Sequence, residues 1–259
     1  MKKELTKYID MRKIAIVLSL TLFCATFSFA QKATELNQAY SFFNQGDNDG
    51  YKNAISLYKK YETELDGEQL NLFAMCYWQL EDYKPALVYF EQSAAKGYEM
   101  GIYNSGYNYF NGNGTDKDYH KAYDYLIKLS SNFSQINEAN HLIGHCVEYH
   151  DHIEGTPGKP NYSLAYKYFL KGAEKGHVEC MLHVAAYNSN SNKITGDNQL
   201  AKFWYKKACD ANSKEGCESL AKINLLLAKK SENLPQNTLN EKPKSNDYLS
   251  VLEAIKKSL

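Results

Sequence analysis

One pattern recurs five times along the chain and restricts what it can fold into. The segments KNAISLYKKY, KPALVYFEQSA, HKAYDYLIKLS, SLAYKYFLKGA and QLAKFWYKKAC align on Ala54, Ala86, Ala122, Ala165 and Ala201, which are 32, 36, 43 and 36 residues apart. Three and four residues beyond each alanine stand bulky side chains: Leu57 and Tyr58, Tyr89 and Phe90, Tyr125 and Leu126, Tyr168 and Phe169, Trp204 and Tyr205. Positions i, i+3, i+4 and i+7 share one face of an α-helix. The small residue lets a neighbouring helix come close while the large ones fill the next layer. This stripe is therefore packing and not a cofactor box.

A second helical segment precedes each anchor: LNQAYSFFNQ, LNLFAMCYWQL, GIYNSGYNYF, ANHLIGHCVEY and CMLHVAAYN. Between the two lie loops rich in Gly, Asn and Asp, such as NGNGTDKD, where helices stop. A helix-turn-helix unit of this size cannot bury its apolar face alone, whereas stacked neighbours bury it jointly. The expected fold is all-α, an α-solenoid of about five helix-turn-helix repeats over residues 31–230. CESLAKINLLLAKK reads as an unpaired sixth front helix. A linker at 231–246 with Pro235 and Pro243 should follow, then an amphipathic helix at 247–259 whose stripe of Leu249, Leu252 and Ile255 either caps the solenoid or docks elsewhere.

The segments GYNYFNGNGTDKDYHKAYDYLIKLS and AKFWYKKACDANSKEGCESLA resemble Sel1-like repeats (SLR), relatives of the tetratricopeptide repeat (TPR). Gly106, Tyr109, Gly112, Gly114, Asp118, Lys121 and Ala122 fall on that pattern, as do Ala201, Trp204, Tyr205 and Ala208. LNLFAMCYWQLEDYKPALVYFEQSA is closer to the tetratricopeptide form, with Leu70, Ala74, Tyr77, Ala86 and Phe90 in register. The resemblance covers about residues 32–228 and is interrupted in the fourth unit by the insertion EYHDHIEGTPGKPNYS. It implies a protein-interaction scaffold with no cofactor, binding a protein or peptide on a concave groove lined by the front helices. Tetratricopeptide register, set by Ala74, Gly106, Gly144 and Ala185, brings Asn71, Met75 and Trp78 to the groove from the second unit. The third unit brings Tyr103, Tyr107 and Phe110, the fourth Glu138, His141, His145, Glu148 and Tyr149, and the fifth Glu179, Leu182 and Asn190. Rigid exposed rings suit peptide anchoring because they contribute contact area at little cost in ordering.

His141 and His145 lie four apart on one helical face, the spacing of a metal-ligand pair, and His150, Asp151 and His152 follow in a loop. No glutamate follows the first histidine as a zincin motif requires, and no third ligand is fixed, so no metal is assigned. Some cysteine-rich secreted SLR proteins are associated with penicillin binding or weak β-lactamase activity, which makes a cell-wall or β-lactam-binding role the alternative. Ser-x-x-Lys, the arrangement that would supply a nucleophile and its base, occurs as Ser56–Lys59, Ser93–Lys96 and Ser219–Lys222, all on repeat helices and without Ser-Asp-Asn or Lys-Thr-Gly partners. The chain is therefore read as a scaffold and not as an enzyme.

The amino terminus differs from the repeats. Met11-Arg12-Lys13 precedes an uncharged apolar run from Ile14 to Ala30 that ends in Ser28-Phe29-Ala30, the layout of a secretory signal peptide cut before Gln31. Its 17 residues sit at the short limit for spanning a bilayer. Secretion or a periplasmic location is expected, with no membrane span after cleavage. Cleavage would remove five basic and two acidic residues, including Arg12, the only arginine. A chain without arginine lacks the bidentate fork that suits phosphates and base edges, so nucleic acid is not an expected partner.

Cys209 and Cys217 stand eight apart across a polar turn. They fall at the facing ends of adjacent antiparallel helices, within disulfide reach, and export would supply an oxidising compartment. The same spacing across a repeat junction marks the cysteine-rich SLR proteins, and the resemblance implies a disulfide. Cys76, Cys146 and Cys180 should be free thiols, Gly172 standing eight residues before Cys180 where a bridging cysteine would have to be.

Overall fold

A computed structural model describes residues 2–149, 160–189 and 197–232. These residues hold eleven α-helices and no strand. The chain divides into two compact units, residues 1–101 and 102–259. The first contains α1 (Lys2–Phe43), α2 (Asn48–Lys60), α3 (Gly67–Gln79), α4 (Tyr83–Ala95) and the first residues of α5 (Glu99–Asn111). The second contains the rest of α5, α6 (Tyr119–Leu126), α7 (Ile136–Tyr149), α8 (Tyr162–Glu174), α9 (Val178–Ser189), α10 (Asn198–Asp210) and α11 (Lys214–Glu232). Consecutive helices pack on one another from α1 to α4 in the first unit and from α6 to α11 in the second.

The five anchor alanines are all fully buried. At the crossings they mark, front helices carry residues with little or no side chain. A Cβ placed on Gly106 would overlap Leu126, and one on Gly144 would overlap the Phe169 ring. The bulky residue four beyond the anchor is the fully covered one in α2, α4, α6 and α8 (Tyr58, Phe90, Leu126, Phe169), whereas in α10 it is Trp204, three beyond.

Local chemistry starts and ends several of these helices in the same way. Asp47, Asp118, Asn161 and Asp197 cap α2, α6, α8 and α10 by accepting backbone N–H bonds, and Asp66 with Gln69 forms a capping box on α3. At the ends of α4, α8 and α10 the chain enters the left-handed region at Gly97, Gly176 and Asn212. There the N–H of Tyr98, His177 and Ser213 bonds back to the carbonyl of Ser93, Gly172 and Ala208 at 3.3, 3.0 and 3.0 Å, the Schellman closure. This shared turn fixes how closely a back helix meets the next front helix.

That approach needs glycine on one side of each junction. A Cβ on Gly101 would lie 2.6 Å from Ser93 Cβ and 2.8 Å from the Ala94 backbone nitrogen, and one on Gly216 would lie 2.8 Å from Ala208 Cβ and from the Cys209 nitrogen. Because it would strike the buried, hydrogen-bonded Ser93 side chain and the Ala94 backbone, Gly101→Ala should cost about 1–3 kcal/mol of stability despite the better helix propensity of alanine. Chemical denaturation measures this, and a neutral or stabilised variant would show that the junction can widen.

The Cys209–Cys217 disulfide is present, with Cα atoms 4.5 Å apart between the last turn of α10 and the first turn of α11. Cys76, Cys146 and Cys180 are buried free thiols. Gly172 does lie against Cys180, a Cβ there falling 2.5 Å from the sulfur, but this contact is one residue earlier in the turn than the Cys209–Cys217 bridge. Gly172 occupies the point of closest helix approach, equivalent to Ser93 and Ala208, so it is a packing glycine and not a missing half of a bridge.

At the chain ends the described helices run across the boundaries expected from the sequence. α1 runs unbroken from the apolar segment into the first front helix, with Leu22, Phe23, Phe27 and Phe29 exposed and Leu36 and Ala39 the first buried side chains among the described residues. No helix among the described residues is long and apolar enough to cross a membrane. α11 continues through Glu232, so the first two residues of the expected linker are helical. The remainder of that linker, the terminal helix at 247–259, the loop residues His150, Asp151 and His152, and Asn190 lie outside the described residues.

Candidate functional site

The front-helix residues selected from the sequence fall into two groups, one in each unit. In the first, Met75 and Trp78 of α3 are half-buried against the core, and Trp78 stands edge-on to Tyr83 with ring centroids 6.0 Å apart. Asn71, expected at the groove, is buried beside the core residues Leu70 and Phe73, because i, i+3 and i+4 positions straddle the boundary between face and core.

In the second unit the aromatic residues form a connected surface. Phe110 of α5 meets Tyr119 of α6 at 5.3 Å and His145 of α7 at 6.3 Å. Tyr149 stacks on His145 at 5.2 Å and touches Tyr119 at 5.5 Å. Tyr149 is 56% exposed, at the end of α7. Tyr103 packs between Tyr107 and Phe133. Burial, and secondarily the nearby Glu138 carboxylate, pushes its phenol well above the ordinary range.

The histidines converge more closely than their sequence suggested. His141 and His145 are one turn apart on α7 with Nε2 atoms 3.2 Å from each other. His183, which the sequence reading passed over, reaches them from α9 with ring centroids 5.3 Å from His141 and 4.5 Å from His145. His177, also passed over, stands just before α9 and shares a 2.8 Å contact with Glu138 Oε2. The neighbouring imidazoles, His141 first and His177 second, hold the Glu138 carboxyl well below the usual carboxylate range. Glu148 Oε2 lies 3.4 Å from His145 Nδ1. Behind the cluster Phe169 stacks on His183 at 4.4 Å and stands edge-on to His145 at 5.2 Å. Leu182, expected at the groove, is buried and its neighbour His183 takes the open side. All seven histidines fall between positions 120 and 183, which is the sequence signal that could have drawn attention to His177 and His183.

The Ser-x-x-Lys pairs hold no assembled nucleophile. Ser93 is buried and donates its hydroxyl to the Gly67 carbonyl at 2.5 Å, while Lys96 donates to the Leu65 carbonyl at 2.5 Å. Ser56 and Lys59 are exposed on α2. Ser219 and Lys222 line a shallow cleft of about 190 Å³ with Tyr205, on a helix whose own ladder already uses its interior N–H groups. A larger cleft of about 330 Å³ opens on another face of α7, among Leu126, Leu129, Ile136, Ile143, Tyr168 and Lys171, away from the histidines.

The Sel1 repeat family matches the chain at residues 69–98, 100–132, 152–177 and 178–213. Among solved structures, a protective antigen present in uropathogenic Escherichia coli strains and displaying an SLR fold superposes with a TM-score of 0.60 at 17% identity, over 88% of this chain and 46% of that one. The chain thus spans somewhat less than half the length of that antigen. A Sel1 repeat protein from Oxalobacter formigenes superposes with a TM-score of 0.60 at 20% identity, over 89% of this chain and 90% of that one. At these identities the likeness is one of fold, and the fold is the α-solenoid that the alanine-anchored pattern implies.

Proposed function

Because the chain belongs to the Sel1 repeat family of helical-repeat scaffolds, we propose that it is exported and captures a protein or peptide on the aromatic faces of its front helices. The observation that carries this reading is the linked surface of Phe110, Tyr119, His145 and Tyr149, with Tyr149 projecting at the helix end. Rings held on helices lose little freedom when a partner covers them, so their area goes into affinity. Glu138 and Glu148 place fixed carboxylates beside the rings and would orient a partner carrying amide or cationic donors. In the first unit, Met75 and Trp78 supply a separate apolar patch on α3. Export is supported by the apolar run of α1, whose phenylalanines find no packing partner in the body of the protein.

Substituting Tyr107 and Tyr149 together by alanine should weaken partner capture by roughly 30-fold or more, the effect of losing an anchor of about 2 kcal/mol. Photocrosslinking and pull-down from the cell envelope, with helicity checked by circular dichroism, would measure it. Capture that persists unchanged in a folded variant would sink the proposal.

A further inference from the structure

We propose that His141, His145 and His183 form a binding site for a divalent transition-metal ion of the zinc class, with the fourth coordination position open. Two nitrogens bound tetrahedrally to one zinc ion at the usual bond length lie about 3.4 Å apart. His141 and His145 already hold their Nε2 atoms at 3.2 Å. One ligand nitrogen from each of these residues and one from His183 can be chosen so that all three lie within 4.8 Å of one another. The three imidazoles come from two rigid helices, α7 and α9, so little ordering is required on binding.

The far sides of the rings support the same assignment. Nδ1 of His141 and Nδ1 of His145 are buried and lack a hydrogen-bond partner, yet they face Glu138 Oε1 at 3.7 Å and Glu148 Oε2 at 3.4 Å. When both rings are neutral and share a proton between their Nε2 atoms, the donor's Nδ1 is a lone pair turned toward a carboxylate. A cation bound between the two Nε2 atoms removes the conflict, because both rings then carry their proton on Nδ1 and both can donate to carboxylates. A carboxylate behind each metal-binding histidine is the usual way of fixing its tautomer and raising its basicity. Glu138 is further anchored by His177, and Phe169 walls the third ligand.

An all-imidazole set favours zinc, copper or nickel over calcium or magnesium, which require oxygen ligands. The side chains of His141 and His145 are 17% and 13% exposed, so solvent and an ion can reach them. Three protein ligands leave room for a water or for a donor group from a bound partner. The site does not depend on the capture proposed above, since it is complete within α7 and α9.

The test uses the untagged chain, stripped with a chelator and titrated with zinc chloride against a chromophoric competitor, with cobalt(II) as a spectroscopic substitute. One zinc per chain and the visible absorption of tetrahedral cobalt are expected. His145→Ala and His183→Ala should each weaken zinc binding at least 10-fold, while Glu148→Gln, which keeps the ligands, should weaken it by about 10–100-fold. His120→Ala, a change at an exposed position of α6 where the side chain is ion-paired to Asp124, should bind as the parent does. Circular dichroism before and after stripping separates ligand loss from unfolding. Absence of zinc uptake by the folded parent, or equal affinity in the parent and the folded His183→Ala variant, would overturn the assignment and leave a hydrogen-bonded histidine pair.

Discussion

Replacing Phe169 by alanine should destabilise the second unit by about 3–5 kcal/mol. The ring is fully buried and stands at the centre of four others: His141, His145, His183 and Tyr187, with centroids 6.1, 5.2, 4.4 and 5.7 Å away. The helix facing it presents Gly144, which has no side chain that could swing into the void. The cavity can close only if whole helices move, and this places the cost toward the upper end of the range. Repeat arrays are stabilised by nearest-neighbour interfaces, so the loss should concentrate in α7, α8 and α9. Denaturant titration read by fluorescence and by hydrogen exchange would show both the size and the location. A loss below about 1 kcal/mol would mean that α7 and α8 are held by contacts other than this ring.

Removing the disulfide, by Cys209→Ala with Cys217→Ala, should cost roughly 2.5 kcal/mol on the chain-entropy account of an eight-residue loop. α11 has little else to hold it: Ile223 is its one buried apolar side chain among the described residues, while Leu225 and Leu226 face solvent. The expected signature is local. Amides of α11 should exchange roughly 60-fold faster, with α7 to α9 little changed. The accompanying thiol count is decisive about the pairing. A chain beginning at Gln31 contains five cysteines and should show three reactive thiols when denatured without reduction. A count of five would refute the bridge. In the native protein the three should resist alkylation, since burial pushes Cys76 and Cys146 up to about 12 and raises Cys180 further, leaving almost no thiolate near neutral pH.

How much of this was legible without coordinates can be judged residue by residue. Ala54, Ala86, Ala122, Ala165 and Ala201 were read as close-approach positions and every one is fully covered, because helical period and residue size together leave few alternatives. The bulky pair beyond each alanine was less determinate. Residues three and four apart flank the same stripe, and only tertiary packing decides that Phe169 goes under while Tyr168 stays half-out, or that Trp204 and Tyr205 reverse the order. The same ambiguity of one residue, about 100° around a helix, buried Leu182 and turned His183 outward. The pairing of His177 was illegible for another reason. It belongs to a turn, and its contact with Glu138 spans 39 positions, a separation that local periodicity does not encode. The Cys209–Cys217 pair was readable because both residues sit at helix ends joined by a short turn, where sequence distance and spatial distance nearly coincide.

The unbroken course of α1 bears on the cleavage proposed before Gln31. What would remain of the helix, Gln31 to Phe43, is 13 residues long, the length of α3 and of α5 and one residue from that of α7 and α9. On this proposal the cut trims a 42-residue rod to the gauge of one repeat, and does so five residues before Leu36, the first buried side chain among the described residues. The leader would then be a handle grown on the first repeat in continuous register, its described side chains all lying outside the core that the cut leaves behind.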